Sequence, residues 1–334
     1  MISTPNNPIS RARIRGWGIA LPDDVITNAD LQARLDTTDE WIVERTGIRE
    51  RRKASASEST ASLATEAATK AIKSAGLSPA DIDLLIVATA TPEQLIPHTG
   101  AHVGESLGLA CGSFDLNAAC AGFVYASVVG SALLNTGMSN VLVVGAETLS
   151  RIVDQHDRGT AVLFGDGAGA AVWSLGDPDY GLLSFDLGCD GSAADILQIP
   201  AGGSRLPTSA ETVANNDHVV KMQGQEVFKR AVRAIGESAI ATLANANTTI
   251  DAVDWFVPHQ ANIRIIETAA NRIGIPMERV IVNIDKYGNT STASIPLALF
   301  EAVESGQIKH GDSLLVAGFG AGMTWASALI RWGN

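Results

Sequence analysis

Two stretches of the 334-residue chain decide its fold: "KAIKSAGLSPADIDLLIVATAT" (70–91) and "ESAIATLANANTTIDAVDWFVPHQ" (237–260). Each begins with apolar residues at helical spacing, breaks at a polar turn, and closes on a short apolar run that reads as a strand. Asp83 and Asp254 stand at the same place in the two, 171 residues apart. A second pair, "GMSNVLVVGAE" (137–147) and "KHGDSLLVAGF" (309–319), keeps about the same offset. One shared offset at two places describes a duplicated domain, and a period this long excludes a solenoid. The halves are 1–175 and 176–334. No flexible linker separates them, so tight packing about a pseudo-dyad is expected, with matching loops converging near the axis.

Around these landmarks helical and strand patterns alternate. Residues 61–77 predict a helix, 83–90 a fully buried strand and 141–147 another. This alternation predicts an α/β architecture with largely parallel, covered sheets. The residues are 46% hydrophobic and 18% charged, ample for a large core. The net charge of −12 argues against nucleic acid or an anionic membrane surface as the main partner. No apolar run approaches the roughly 20 residues needed to span a bilayer. The opening "MISTPNNPIS" lacks a signal-peptide pattern. Three cysteines, at 111, 120 and 189, have no metal-ligand spacing, so a reduced, cytoplasmic protein without a metal is expected.

Cys120 sits in "DLNAACAGFVYA" (115–126), with alanine and glycine on both sides. Small neighbours suit a packed core thiol, and they equally leave room for a substrate to reach sulfur. The apolar run after it predicts a helix whose positive end would favour thiolate. In the second half, "WFVPHQAN" (255–262) puts His259 just past an apolar strand. "KYGNTSTASIPLAL" (286–299) puts Asn289 at the opening of an apolar helix. Singly, His259 reads as a satisfied core histidine and Asn289 as a helix cap. Together with Cys120 they make a nucleophile and two neutral nitrogen groups. Two chemistries fit. In a papain-like hydrolase, His takes the thiol proton and Asn orients that His. In a condensing enzyme, both donate hydrogen bonds to a substrate oxygen that becomes an enolate as carbon dioxide leaves.

Five blocks resemble β-ketoacyl-acyl-carrier-protein synthase III, the initiating condensing enzyme of type II fatty acid synthesis: "DLNAACAGFVYA", "DRGTAVLFGDGAGAAV", "VPHQANIRI", "GNTSTASIPLAL" and "GFGAGMTWASALIRW". The resemblance runs in order from about residue 12 to the C-terminus. It implies a thiolase-type duplicated αβαβα fold with two mixed, mostly parallel five-stranded sheets, and a homodimer. It implies that Cys120 takes an acyl group from acyl-CoA, a substrate rather than a cofactor. Malonyl-acyl-carrier protein then loses carbon dioxide against His259 and Asn289, and its enolate attacks the acyl-Cys120. The backbone amides of Cys120 and Ala321 would form the oxyanion hole. A paralogue loading another primer in polyketide or secondary metabolism, and an acyltransferase that never decarboxylates, are the neighbouring readings. A non-catalytic partner would lack the nucleophile that Cys120 supplies.

The resemblance also assigns contacts for coenzyme A. In "TTDEWIVERTGIRERR" (37–52), Trp41 would stack on adenine and Arg45 would meet the phosphates. Arg158 would cover the other adenine face, and Asn262 would bond the pantetheine. A guanidinium and an indole suit a flat base, although Trp41 alone reads as a half-buried amphipathic residue. An acidic carrier protein needs a basic patch on this acidic chain. Arg264 matches a docking position, and Lys229, Arg230, Arg233 and Arg272 lie on the helices flanking His259; alone they read as solvated charges. Ile96, in "TPEQLIPHTG" (91–100), would cap the acyl pocket across the dimer, where a smaller side chain than an aromatic hints at primers beyond acetyl. Phe123 is a pocket residue or ordinary core. Cys111 and Cys189 match no site. "FGDGAGAAV" (164–172) lacks a P-loop ending, and its place between two strand-like runs predicts a tight β-turn without a nucleotide.

Overall fold

The structure is a computed structural model that describes residues 12–333. The opening "MISTPNNPIS" lies outside the described residues, as does the start of the first half. The first sheet has five strands, β1 (Ala12–Ala20), β2 (Leu84–Ala88), β3 (Gly112–Leu116), β4 (Asn140–Thr148) and β5 (Asp166–Leu175), in the order β1-β5-β4-β2-β3. The second has four, β6 (Gly181–Cys189), β7 (Trp255–Pro258), β8 (Ser313–Gly320) and β9 (Thr324–Arg331), in the order β7-β8-β9-β6. The main helices are α1 (Asp39–Thr46), α2 (Thr60–Ser74), α3 (Gly122–Leu134), α4 (Gly224–Asn245), α5 (Ile263–Ile273) and α6 (Ser294–Glu304).

The duplication rests on the two aspartates. Asp83 precedes β2, and its carboxylate accepts the Ser139 and Asn140 amides at the start of β4, while its own N–H donates to Asn140 O. Asp254 does the same before β7, accepting from Ser313 N and donating to Ser313 O at the start of β8. Each carboxylate therefore staples two parallel strands at their N-terminal ends, β2 to β4 and β7 to β8. The same residue type at the same offset is a register device used twice.

Five layers follow from which faces are apolar. Helix α2 lays an alanine-rich face on the outside of the first sheet. Helix α4 covers the outside of the second sheet. Between the sheets lie α3 and α6, each touching both. Both are apolar almost all round, as a helix buried on two sides must be. Phe300 of α6 and Trp173 of β5 are fully buried there.

Three expectations need correction. The second sheet has four strands where five were expected. The fifth place, beside β7, holds a single parallel bridge between Phe256 and Val280. The segment leaves at once for the Asn289 loop, so no ladder extends. Antiparallel pairs equal parallel ones in the first sheet, two of each, and outnumber them two to one in the second, because β1 and β5, like β6 and β9, return alongside their neighbours. The glycine-rich stretch at 164–172 is no turn: from Asp166 it is part of β5. Its glycines serve close approach. A Cβ on Gly169 would fall 2.6 Å from Pro296 of α6.

Candidate active site

Cys120, His259 and Asn289 line one cavity of about 630 Å³, together with Trp41, Arg45, Asn262 and Arg264. The thiol and the two nitrogen groups come together from places 139 and 169 residues apart in the chain. Cys120 lies in a short 3₁₀ turn (Ala119–Ala121) that runs into α3. Ala119 before it is left-handed, with φ 44°. The corresponding turn of the second half, Ser291–Ala293, leads into α6, and Ser291 is left-handed too, with φ 49°. Non-glycine residues in that region cost about 1–3 kcal/mol and gather at functional sites. The duplicate of Cys120 is thus Thr292, three residues past Asn289. Gly320, at the end of β8, closes over the thiol residue: a Cβ there would sit 2.5 Å from Cys120 N.

The polar wiring separates the two chemistries. Asn289 Oδ1 accepts the Ser291 amide at 2.9 Å. That bond fixes the amide orientation, since only oxygen can accept, and leaves Nδ2 as the free donor. His259 Nδ1 meets Ser294 Oγ at 2.6 Å. Asn289 therefore does not orient His259, and the papain-like arrangement is absent. The loop is held by backbone as well: Asn289 N donates to Leu163 O, and Gly165 N to Asn289 O.

Burial sets the charges. His259 is 3% exposed, and burial pushes its imidazole down to about 3. The ring is therefore neutral at physiological pH. Cys120 departs from expectation. Burial pushes its thiol up to about 12, the Glu147 charge adds to that, and a bond from Ser291 opposes it. Desolvation dominates, so the resting Cys120 is a thiol. Glu147 was missed in the sequence. It is wholly buried behind the site, accepting from Thr91 Oγ1 at 2.6 Å, Ala90 N at 3.1 Å and Thr292 Oγ1 at 3.0 Å. Burial raises its carboxyl while these donors hold it down.

The depressed His259 links folding to pH. Unfolded, the ring takes a proton near pH 6.5; folded, it refuses one until about 3. This contribution is complete above pH 6.5 and fades as pH falls, by up to roughly 4–5 kcal/mol. His259→Gln should lose less stability than the parent between pH 6.5 and 4 in urea melts; equal slopes would contradict the neutral ring.

The remaining predicted residues divide. Trp41 carries both guanidiniums over its ring, Arg158 at 4.7 Å and Arg45 at 4.8 Å. Arg158 is also bonded to Asp36 O at 2.6 Å. At that spacing no base fits between Trp41 and Arg158. Asn262 caps α5 through the Arg264 amide and donates to Arg45 O, leaving one amide hydrogen for a ligand. Arg264 and Lys229 line the cavity, and Arg264 lies 6.0 Å over Phe228. Lys229 also pairs with Glu226 at 2.8 Å, and Arg230, Arg233 and Arg272 face carboxylates too: Asp190 for the first, Glu237 for the other two. Phe123 is buried in the core between the sheets and does not line the cavity. Ile96 is 87% exposed, with Leu95 beside it at 78%, and neither lines the cavity of its own chain. Cys111 packs against the outer core, and Cys189 is exposed at the end of β6. Among the described residues, no group of three His, Cys, Asp or Glu could hold a metal, and no helix is long and apolar enough to cross a membrane.

A duplicated αβαβα fold that holds a thiol beside two uncharged nitrogen donors defines a condensing acyltransferase of the thiolase type. Residues 114–191 match the family model described as 3-oxoacyl-[acyl-carrier-protein (ACP)] synthase III, and 243–332 match that of its C-terminal part. The chain belongs to the β-ketoacyl-acyl-carrier-protein synthase III family. The β-ketoacyl-[acyl-carrier-protein] synthase III of Caldanaerobacter subterraneus is 49% identical to it, covering 96% of this chain and 98% of the relative. The solved synthase III from Thermus thermophilus is 48% identical with a TM-score of 0.90, covering 96% and 99%. The priming β-ketosynthase of the R1128 polyketide pathway has the same TM-score at 34% identity, covering 99% of each chain.

Proposed function

We propose that the enzyme joins an acyl-CoA primer to malonyl-acyl-carrier protein through an acyl-Cys120 intermediate, giving 3-oxoacyl-acyl-carrier protein, CoA and carbon dioxide. One observation carries the site assignment: Cys120, His259 and Asn289 share a cavity in which both nitrogen groups are neutral, and Asn289 presents its Nδ2 as a free donor. In the first half-reaction Cys120 Sγ attacks the thioester carbonyl. The C–S bond to CoA breaks, and the thiol proton leaves with CoA. The backbone N–H groups of Cys120 and Ala321 receive the transient oxyanion. In the second, the malonyl thioester oxygen sits against His259 and Asn289. Carbon dioxide departs, the enolate carbon attacks the acyl carbonyl, and Cys120 leaves as thiolate to regain a proton. Each donor to a developing oxyanion in a dry site supplies about 3–4 kcal/mol.

Trp41, Arg45, Arg158 and Asn262 hold the coenzyme A, and Arg264 with Lys229 receives the acidic carrier protein. Exposed Leu95 and Ile96 suit burial against a second copy, which supports a homodimer. Identity falls from 48% to 34% between the Thermus synthase III and the polyketide priming enzyme, which favours a role in starting fatty acids. A cytoplasmic location fits a chain whose substrates are CoA and carrier-protein thioesters.

The test is a balance sheet of products from acyl-CoA and malonyl-acyl-carrier protein. Equal amounts of CoA, carbon dioxide and 3-oxoacyl product are expected. Acyl-CoA hydrolysis without a new carbon–carbon bond would overturn the proposal. Trp41→Ala should raise KM for acyl-CoA about tenfold, the value of one desolvated stacking contact, with kcat and KM for malonyl-acyl-carrier protein close to the parent. An unchanged acyl-CoA KM would remove Trp41 from the site.

A further inference from the structure

We propose that Ser294 is a positioning residue that decides which ring nitrogen of His259 carries the proton, making the imidazole a donor at Nε2. The inference rests on the donor role given to His259 above. Ser294 is the first residue of α6 and is 1% exposed. Its Oγ lies 2.6 Å from His259 Nδ1 and also accepts the Gln260 backbone N–H at 3.3 Å. A hydroxyl owns one hydrogen. With the oxygen engaged by Gln260, that hydrogen must find an acceptor. Among the described residues, His259 Nδ1 is the acceptor placed to take it. A nitrogen that accepts is bare, so the hydrogen of a neutral ring is on Nε2.

The choice of residue matters. A carboxylate or carbonyl at this place would pull the hydrogen onto Nδ1 and leave Nε2 as a base, the wiring a hydrolase uses. The burial that keeps the ring neutral works in the same direction, because a doubly protonated ring would need no tautomer control. The serine is held by the helix it opens, and Gln260 follows His259 directly, so ring and hydroxyl are locked to each other by backbone. Two donors then face the substrate oxygen, Asn289 Nδ2 set by the Ser291 amide and His259 Nε2 set by Ser294.

The measurement is the ¹⁵N spectrum of histidine-labelled protein at neutral pH, with the His259 signals identified by their loss in His259→Gln. Nδ1 is expected to appear as the bare nitrogen and Nε2 as the protonated one; the reverse would overturn the proposal. Ser294→Ala should mix or reverse the two and slow malonyl-acyl-carrier protein decarboxylation about ten- to hundredfold. Acylation of Cys120 by acyl-CoA should continue at the parental rate, and Ser294→Thr should restore both spectrum and rate. An alanine variant that keeps a protonated Nε2 and full decarboxylation would overturn the positioning role, while product formation by the parent would leave the condensing reaction standing. If the alanine variant does not fold, the parental spectrum decides alone.

Discussion

Cys120→Ala is expected to abolish primed condensation, by at least a thousandfold, while leaving malonyl-acyl-carrier protein decarboxylation within about tenfold of the parent. The first part follows because no other thiol reaches the cavity: Cys111 packs on the outer core and Cys189 is exposed at a strand end. The second part is the sharper one. Decarboxylation requires only an electron sink for the leaving carboxylate, and in the proposed mechanism that sink is the pair His259 and Asn289. Neither is hydrogen-bonded to Cys120; their partners are Ser294 and Ser291. Alanine leaves the left-handed Ala119 and the turn into α3 in place. Carbon dioxide release from the variant, without acyl-CoA, is the measurement. Loss of both activities in a folded variant would mean that the thiol also serves the malonyl step.

Asn289→Ala is expected to do the opposite: Cys120 still takes an acyl group, and decarboxylation falls by about 10²–10³, the cost of one oxyanion donor. Asn289 also ties its loop through Ser291, so alanine alone mixes two losses. Asn289→Asp separates them. An aspartate oxygen accepts the Ser291 amide as Asn289 Oδ1 does, but its second oxygen presents a lone pair where Nδ2 presented hydrogen. Aspartate should keep the loop and fail to restore the rate. Rescue by aspartate would show that Asn289 is a loop residue and that the second donor lies elsewhere.

How much of this was written in the chain follows from which interactions are local. The duplication was legible because Asp83 and Asp254 do one job twice, stapling neighbouring strands, and that job demands the same residue at the same offset. The cavity residues Cys120, His259 and Asn289 were legible because each stands at a strand end or helix start. Their wiring was not. Ser294 looked like one more small residue in "NTSTAS"; only the fold brings it to a ring 35 positions earlier in the chain. Its sole signal was a hydroxyl opening an apolar helix. That Thr292 is the counterpart of Cys120 was not legible, because the strained residue before each, Ala119 and Ser291, has no sequence signature. The thiol's raised pKa was not legible for a related reason: the helix end is local and visible in the sequence, whereas burial is set by the folded surroundings. The stretch 164–172 read as a turn locally, and its glycines served helix packing globally. Phe123 was apolar enough for either core or pocket, and packing placed it between the sheets.

The most direct test of the central claim is the mass of the intact protein after incubation with an acyl-CoA alone, followed by peptide mapping and addition of malonyl-acyl-carrier protein. A single acyl group on the Cys120 peptide, discharged with carbon dioxide release when the carrier protein is added, is the predicted result. An unmodified protein that still forms product, or an adduct on Cys111 or Cys189 that malonyl-acyl-carrier protein discharges, would contradict it.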